Sequence, residues 1–171
     1  MSDCVGLFVM MTQDNILVHD LLVQLPSVVQ RLRDLSAKAV LVMEEPLHKQ
    51  LAHTLPGIVS VPSNDLLQFV ATREEQLLVI AGLAAYSDLL SEARHVHVVT
   101  VHGVNPADTE ALVFDQGWRD VRWREGRPPQ KKCHPADAWE TTYQLFKRMR
   151  FSDGSTAVCG KCPLEMQNGD P

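Results

Sequence analysis

Apolar residues along this chain fall in short blocks separated by polar turns, and the blocks alternate between two periods. Residues 5–11, VGLFVMM, are almost continuously apolar and short, which predicts a central strand covered on both faces. Thr12, Gln13 and Asp14 with Asn15 form a turn, and the irregular apolar run 16–24 is expected to be a loop crossing an edge of the sheet. Pro26-Ser27 opens a helix in which Val28, Val29, Leu32 and Leu35 recur at helical spacing. Residues 39–43 predict a second buried strand, 46–53 a short helix, Leu55-Pro56-Gly57 a turn and 58–61 a third strand. Ser63-Asn64-Asp65 is expected to cap a helix over 66–72. A fourth strand is predicted at 77–80, a helix at 84–91 and a fifth strand at 96–101. Beyond these, 118–124 and 141–149 alternate as antiparallel strands with one wet face do, joined by a polar, proline-containing connection at 126–137. The pattern predicts an α/β domain with a mixed, mainly parallel sheet flanked by helices and closed by a C-terminal antiparallel hairpin.

Composition narrows the function classes. With 171 residues and 45% hydrophobic positions there is material for one packed domain, taken as 1–150, and the polar residues 151–171 are expected to form an extended or mobile tail. Net charge −5 argues against a general nucleic-acid surface. No apolar run reaches the ~20 residues of a membrane span. The start MSDCVGLFVMM lacks a basic n-region, and four cysteines suit a reduced set, so a cytoplasmic location is expected.

The densest information lies in residues 77–101, where a buried strand ends in Ala81-Gly82, a short helix comes next, and a second buried strand begins. A small-residue strand end lets backbone approach a ligand closely, as phosphates are received in nucleotide-binding α/β sheets. The segment Val79-Ile80-Ala81-Gly82-Leu83-Ala84-Ala85-Tyr86 resembles the V-I-G-G-G-x-x-Y segment of dihydrofolate reductase. Leu89-Leu90, Ala93 and the strand HVHVVTV match the next segment of that family. Ala107-Asp108-Thr109 falls where the family has G-D-T, and Leu25-Pro26 where it has L-P before its first helix. Residues 9–16 resemble its first strand and the turn into its active-site loop, and Trp118 with WETTYQLFKRM its closing hairpin.

The resemblance covers about residues 4–150 and implies a dihydrofolate-reductase-like fold and hydride transfer from NADPH to a pterin, with Ala81, Gly82, Leu83 and Tyr86 at the cofactor. That chemistry needs a general acid, a partner for the acid, a cation for the folate carboxylate and basic groups for the cofactor phosphates. The acid position, two after the proline of L-P, is Val28, and the position of its hydroxyl partner is Val99. Thr100 is one step away, on the other face. Where the family has G-R-x-(T/S) this chain has Glu44-Glu45-Pro46-Leu47, and two carboxylates there repel a phosphate. The folate arginine is missing, Leu55-Pro56-Gly57 running straight into Ile58-Val59-Ser60-Val61. A bulky Leu83 at the third glycine position is expected to obstruct a pyrophosphate.

Other chemistry-bearing residues are read more blandly. Asp20 and Asp34, the carboxylates nearest the vacated acid position, are expected to be solvated. His95 and His97 share a strand face and are expected to be satisfied at the sheet surface or a helix interface. Met10-Met11 reads as core filling, and Lys131-Lys132 and Lys147-Arg148 with Arg150 as solvated hairpin ends. Cys159-Gly160-Lys161-Cys162 has zinc-knuckle spacing, and Cys133-His134 supply two further candidate ligands.

Three functions are compatible with these residues. The favoured one is a non-catalytic protein of this fold, with no cofactor, binding a protein partner or small ligand. The second is an NADPH-dependent reductase of dihydrofolate or a related pterin or pyrimidine. The third is a zinc-stabilised interaction module built on Cys133, His134, Cys159 and Cys162.

Overall fold

The computed structural model describes residues 5–14, 16–45, 57–90, 93–104, 123–125, 130–132 and 134–148. The expected helix at 46–53, Ala107-Asp108-Thr109, Trp118 and the expected tail at 151–171 lie outside the described residues.

Among the described residues, eight strands form one sheet: β1 Val5–Met11, β2 Val40–Glu44, β3 Val59–Val61, β4 Leu77–Ile80, β5 His95–Val101, β6 Trp123–Glu125, β7 Gln130–Lys132 and β8 Thr141–Arg148. The order is β3-β2-β4-β1-β5-β8-β6, with β7 also paired to β8. β1 to β5 are mutually parallel, while β8 runs antiparallel to β5, β6 and β7. The mixed, mainly parallel sheet expected from the hydrophobic blocks is therefore present. Among the described residues its helices are α1 Pro26–Ser36, α2 Leu66–Thr72 and α3 Leu83–Leu89.

The period-2 geometry of a strand sends alternate residues to opposite faces, so each central strand builds two cores. On one face Phe8, Met10, Leu41, Met43, Leu78, Ile80, Val99, Val101, Tyr143 and Leu145 meet Val28, Val29, Leu32 and Leu35 of α1. On the other, Leu7, Val9, Val42, Leu77, Val79, Val96 and Val98 meet Leu66 and Val70 of α2 and Tyr86 and Leu89 of α3. Continuous apolar strands are the signature of a sheet covered on both sides.

Three local expectations need correction. The run 16–24 is not wholly irregular: Leu17 bridges Met11, and a 3₁₀-helix spans His19–Gln24, with His19 and Leu22 buried. Ser63–Asp65 forms a 3₁₀ turn before α2, with no side-chain capping bond. The polar connection 126–137 contains β7, whose pairing to Thr141, Thr142 and Tyr143 gives it tertiary rather than local support. The Gly57 turn is as expected, with φ +87°, where a residue without Cβ carries no strain. Among the described residues, no helix is long and apolar enough to cross a membrane.

Candidate functional site

In an open parallel sheet, ligands enter a crevice beyond the carboxyl ends of strands that part company. Here that place lies between β1 and β4. Their ladder runs from Val5↔Leu77 to Leu7↔Val79, while β1 continues beside β5 as far as Met11↔Thr100. From Phe8 onward, backbone groups of β1 beyond the β4 ladder must find partners elsewhere.

They find them within the chain. The Phe8 carbonyl accepts a short hydrogen bond from the Tyr86 hydroxyl, 2.5 Å. Met10 N–H donates to His19 Nε2 at 3.3 Å, and the Met10 carbonyl accepts from Val18 N–H at 2.9 Å. Because Nε2 accepts, the His19 proton resides on Nδ1 and the ring is neutral. Burial holds its pKa at about 4, below the ordinary 6.5. The Tyr86 ring tilts against His19 with centroids 5.6 Å apart, its hydroxyl 3.2 Å from Nε2. Burial pushes the Tyr86 phenol well up, and the nearby Glu44 charge adds to this, so it stays a donor.

The strand–helix joint is filled in the same way. Gly82 precedes α3, and its N–H donates to Glu44 Oε1 at 3.0 Å. Glu44 ends β2, the neighbour of β4, so the carboxylate reaches across adjacent strand ends. A Cβ on Gly82 would lie 3.0 Å from that same oxygen. The Glu44 carboxylate thus occupies the Gly82 backbone N–H itself. Ala81, directly after β4, is fully buried. The Leu83 side chain lies outside the described set.

Val28 and Val99 join one apolar cluster on the α1 face, at 3% and 1% exposure. Thr100 pairs with Met11 and Thr142, one step out of phase with Val99, so the register leaves its hydroxyl on the opposite face. Asp20 and Asp34 are exposed, as expected, and Asp34 accepts from Gln30 at 2.9 Å. The first turn of α1 is met by a carboxylate that the sequence reading did not single out. Asp137 accepts from Ser27 N–H at 3.0 Å through Oδ1 and from His134 N–H at 2.9 Å through Oδ2. Burial alone would raise its pKa; the bonds from Ser27 and His134 outweigh that and hold it below the usual carboxylate value. With both oxygens engaged by backbone amides, Asp137 is a cap rather than an acid.

Of the four candidate zinc ligands, only His134 is among the described residues. Cys133, Cys159 and Cys162 lie outside them, and His134 Nδ1 accepts from Ala136 N–H at 3.0 Å. No group of three potential metal ligands occurs among the described residues. Of the two expected placements, His95 and His97 take the helix interface, buried at 2% and 0% exposure. They alternate in phase with Val99 and Val101, which places them on the face covered by α1. His97 Nδ1 is hydrogen-bonded to the Tyr143 hydroxyl across 2.6 Å. Burial, then the His95 and Arg31 charges, keep its pKa well below 6.5.

Neither a family model nor a curated protein matches this sequence. Among solved structures the chain is similar to a dihydrofolate reductase from Enterococcus faecalis, complexed with NADP(H) and RAB-propyl. The superposition has a TM-score of 0.63 and covers 86% of this chain and 98% of that one, at 11% identity. The fold is that of dihydrofolate reductase. Identity that low carries the architecture and leaves the chemistry to be argued from side chains.

Proposed function

We propose that this chain uses the dihydrofolate reductase fold as a binding scaffold, without cofactor and without hydride transfer, and acts by engaging a protein partner or small ligand. The observation that carries the proposal is the Glu44 carboxylate on Gly82 N–H. A negative group already satisfies the donor that a cofactor phosphate would need, and a second negative charge beside it is repelled. Two further features support the reading. Val28 and Val99 form apolar packing where the resemblance calls for an acid and its hydroxyl partner, so neither can serve a pterin as proton donor. His19 and Tyr86 fill the β1 edge beyond β4.

Thermal denaturation with and without NADPH tests this. A ligand at about 100 times its Kd stabilises a fold by roughly 2.7 kcal/mol, which is easily read as a shift in Tm. The expected result is no saturable shift at millimolar NADPH. A saturable shift, or dihydrofolate-dependent oxidation of NADPH, would falsify the proposal.

A second reading, an NADPH-dependent reductase of a pterin or related pyrimidine, draws on the similar structure being complexed with NADP(H). On that reading Glu44→Gly should strengthen NADPH binding by freeing Gly82 N–H. On the favoured one it should only weaken the fold.

A further inference from the structure

Beneath α1, three polar side chains form a chain of contacts that the reductase comparison does not use. The Arg31 guanidinium stacks on the Tyr143 ring, its carbon 3.6 Å from the ring centre. The Tyr143 hydroxyl meets His97 Nδ1 at 2.6 Å, with ring centroids 5.9 Å apart. Arg31 and His97 are near enough for the arginine charge to act on the imidazole. Arg31 Nη2 and His97 Nε2 are both buried and have no hydrogen-bond partner among the described residues. The nearby Asp34 charge acts on Arg31 through space, but its carboxylate is exposed and engaged by Gln30. The ion pair found among the described residues joins Arg73 to Glu75, not Arg31 to a carboxylate.

The protons indicate what the cluster lacks. A cation over its ring makes the Tyr143 phenol the better donor, so His97 Nδ1 accepts and Nε2 keeps its hydrogen. Arg31 offers only donors. Unsatisfied buried donors are costly, so two on side chains that contact the same Tyr143 call for an acceptor. One of them is permanently charged and makes no ion pair within the described residues, which selects a negative acceptor. Arg31 is partly exposed, so the cluster reaches the surface at its arginine end.

We propose that Arg31 and His97 form a recessed receptor for a small oxyanion, either an inorganic phosphate or a ligand carboxylate.

The test is thermal denaturation of the full chain in chloride-free buffer, titrated with inorganic phosphate and, separately, with acetate. At least one anion should give a saturable rise in Tm, about tenfold weaker in Arg31→Leu and intermediate in Arg31→Lys, which keeps the charge but not the fork. Which anion saturates distinguishes phosphate from carboxylate. No saturable response to either, or a rise that is equal in wild type and Arg31→Leu, overturns the proposal. Should Arg31→Leu fail to fold, ¹⁵N NMR of the wild-type imidazoles decides: the His97 Nε2 resonance should move along the same isotherm as Tm. A resonance that stays fixed through both titrations overturns it as well.

Discussion

His19 and Tyr86 are polar residues in apolar surroundings, and each completes a backbone group that β4 leaves unpaired. Their burial has a consequence for pH. His19 must stay neutral to accept from Met10, and its pKa falls from 6.5 to about 4 in the fold. Between those values the unfolded chain binds a proton that the folded chain does not, so stability rises with pH across this window. The stabilisation is full above pH 6.5 and is lost as pH falls toward 4, by about 3 kcal/mol in all. Urea denaturation at pH 7, 5.5 and 4.5 should show this slope, and His19→Gln should reduce it. An unchanged slope in that variant would assign the acid sensitivity to His97 instead. Glu44→Ala leaves the Gly82 donor unpaired and should cost about 1–2 kcal/mol, measured by the same denaturation at pH 7.

At the scale of elements, α1 depends on a residue 110 positions away from its first turn. Its N-cap residue, Leu25, has no side chain that can cap, and Asp137 supplies the acceptor to Ser27 N–H instead. A carboxylate there also suits the positive end of the helix. Asp137→Ala should therefore destabilise the protein by about 1 kcal/mol and raise amide exchange in the first turn of α1, as loss of a cap does. The Asp137 pKa is depressed, so its contribution is present above the unfolded value of 3.8 and lost as pH falls through the folded value. At pH 7 the difference between wild type and Asp137→Ala should be full, and it should shrink as pH falls below 3.8 through the folded value. Strands β1, β4 and β5 and helices α1 and α2 were legible in the sequence because their apolar periodicity is local. The 3₁₀-helix at His19–Gln24 and strand β7 were not, since a short irregular run and a three-residue polar strand carry too little period to register.

In the whole molecule the two cores share one sheet. Leu32 under α1 and Leu66 under α2 are both fully buried, on opposite faces. Each truncation to alanine should cost about 2–5 kcal/mol. Because β1 and β4 contribute to both layers, either variant should still unfold in one transition seen alike by circular dichroism and fluorescence. Separate transitions in Leu66→Ala would mean that the layers fold independently. The sequence by itself determined the layered α/β architecture and the absence of a proton donor at positions 28 and 99, since apolar period and residue type are properties of a linear string. It placed Val28, Val99 and Glu44 at informative positions without saying what they touch. Only the tertiary structure decided that Glu44 lies on Gly82, that His19 fills the β1 edge, that Asp137 caps α1, and that Arg31, Tyr143 and His97 meet beneath it. Each of these joins residues from separate elements, and such contacts are set by strand order and helix docking, which no local pattern encodes.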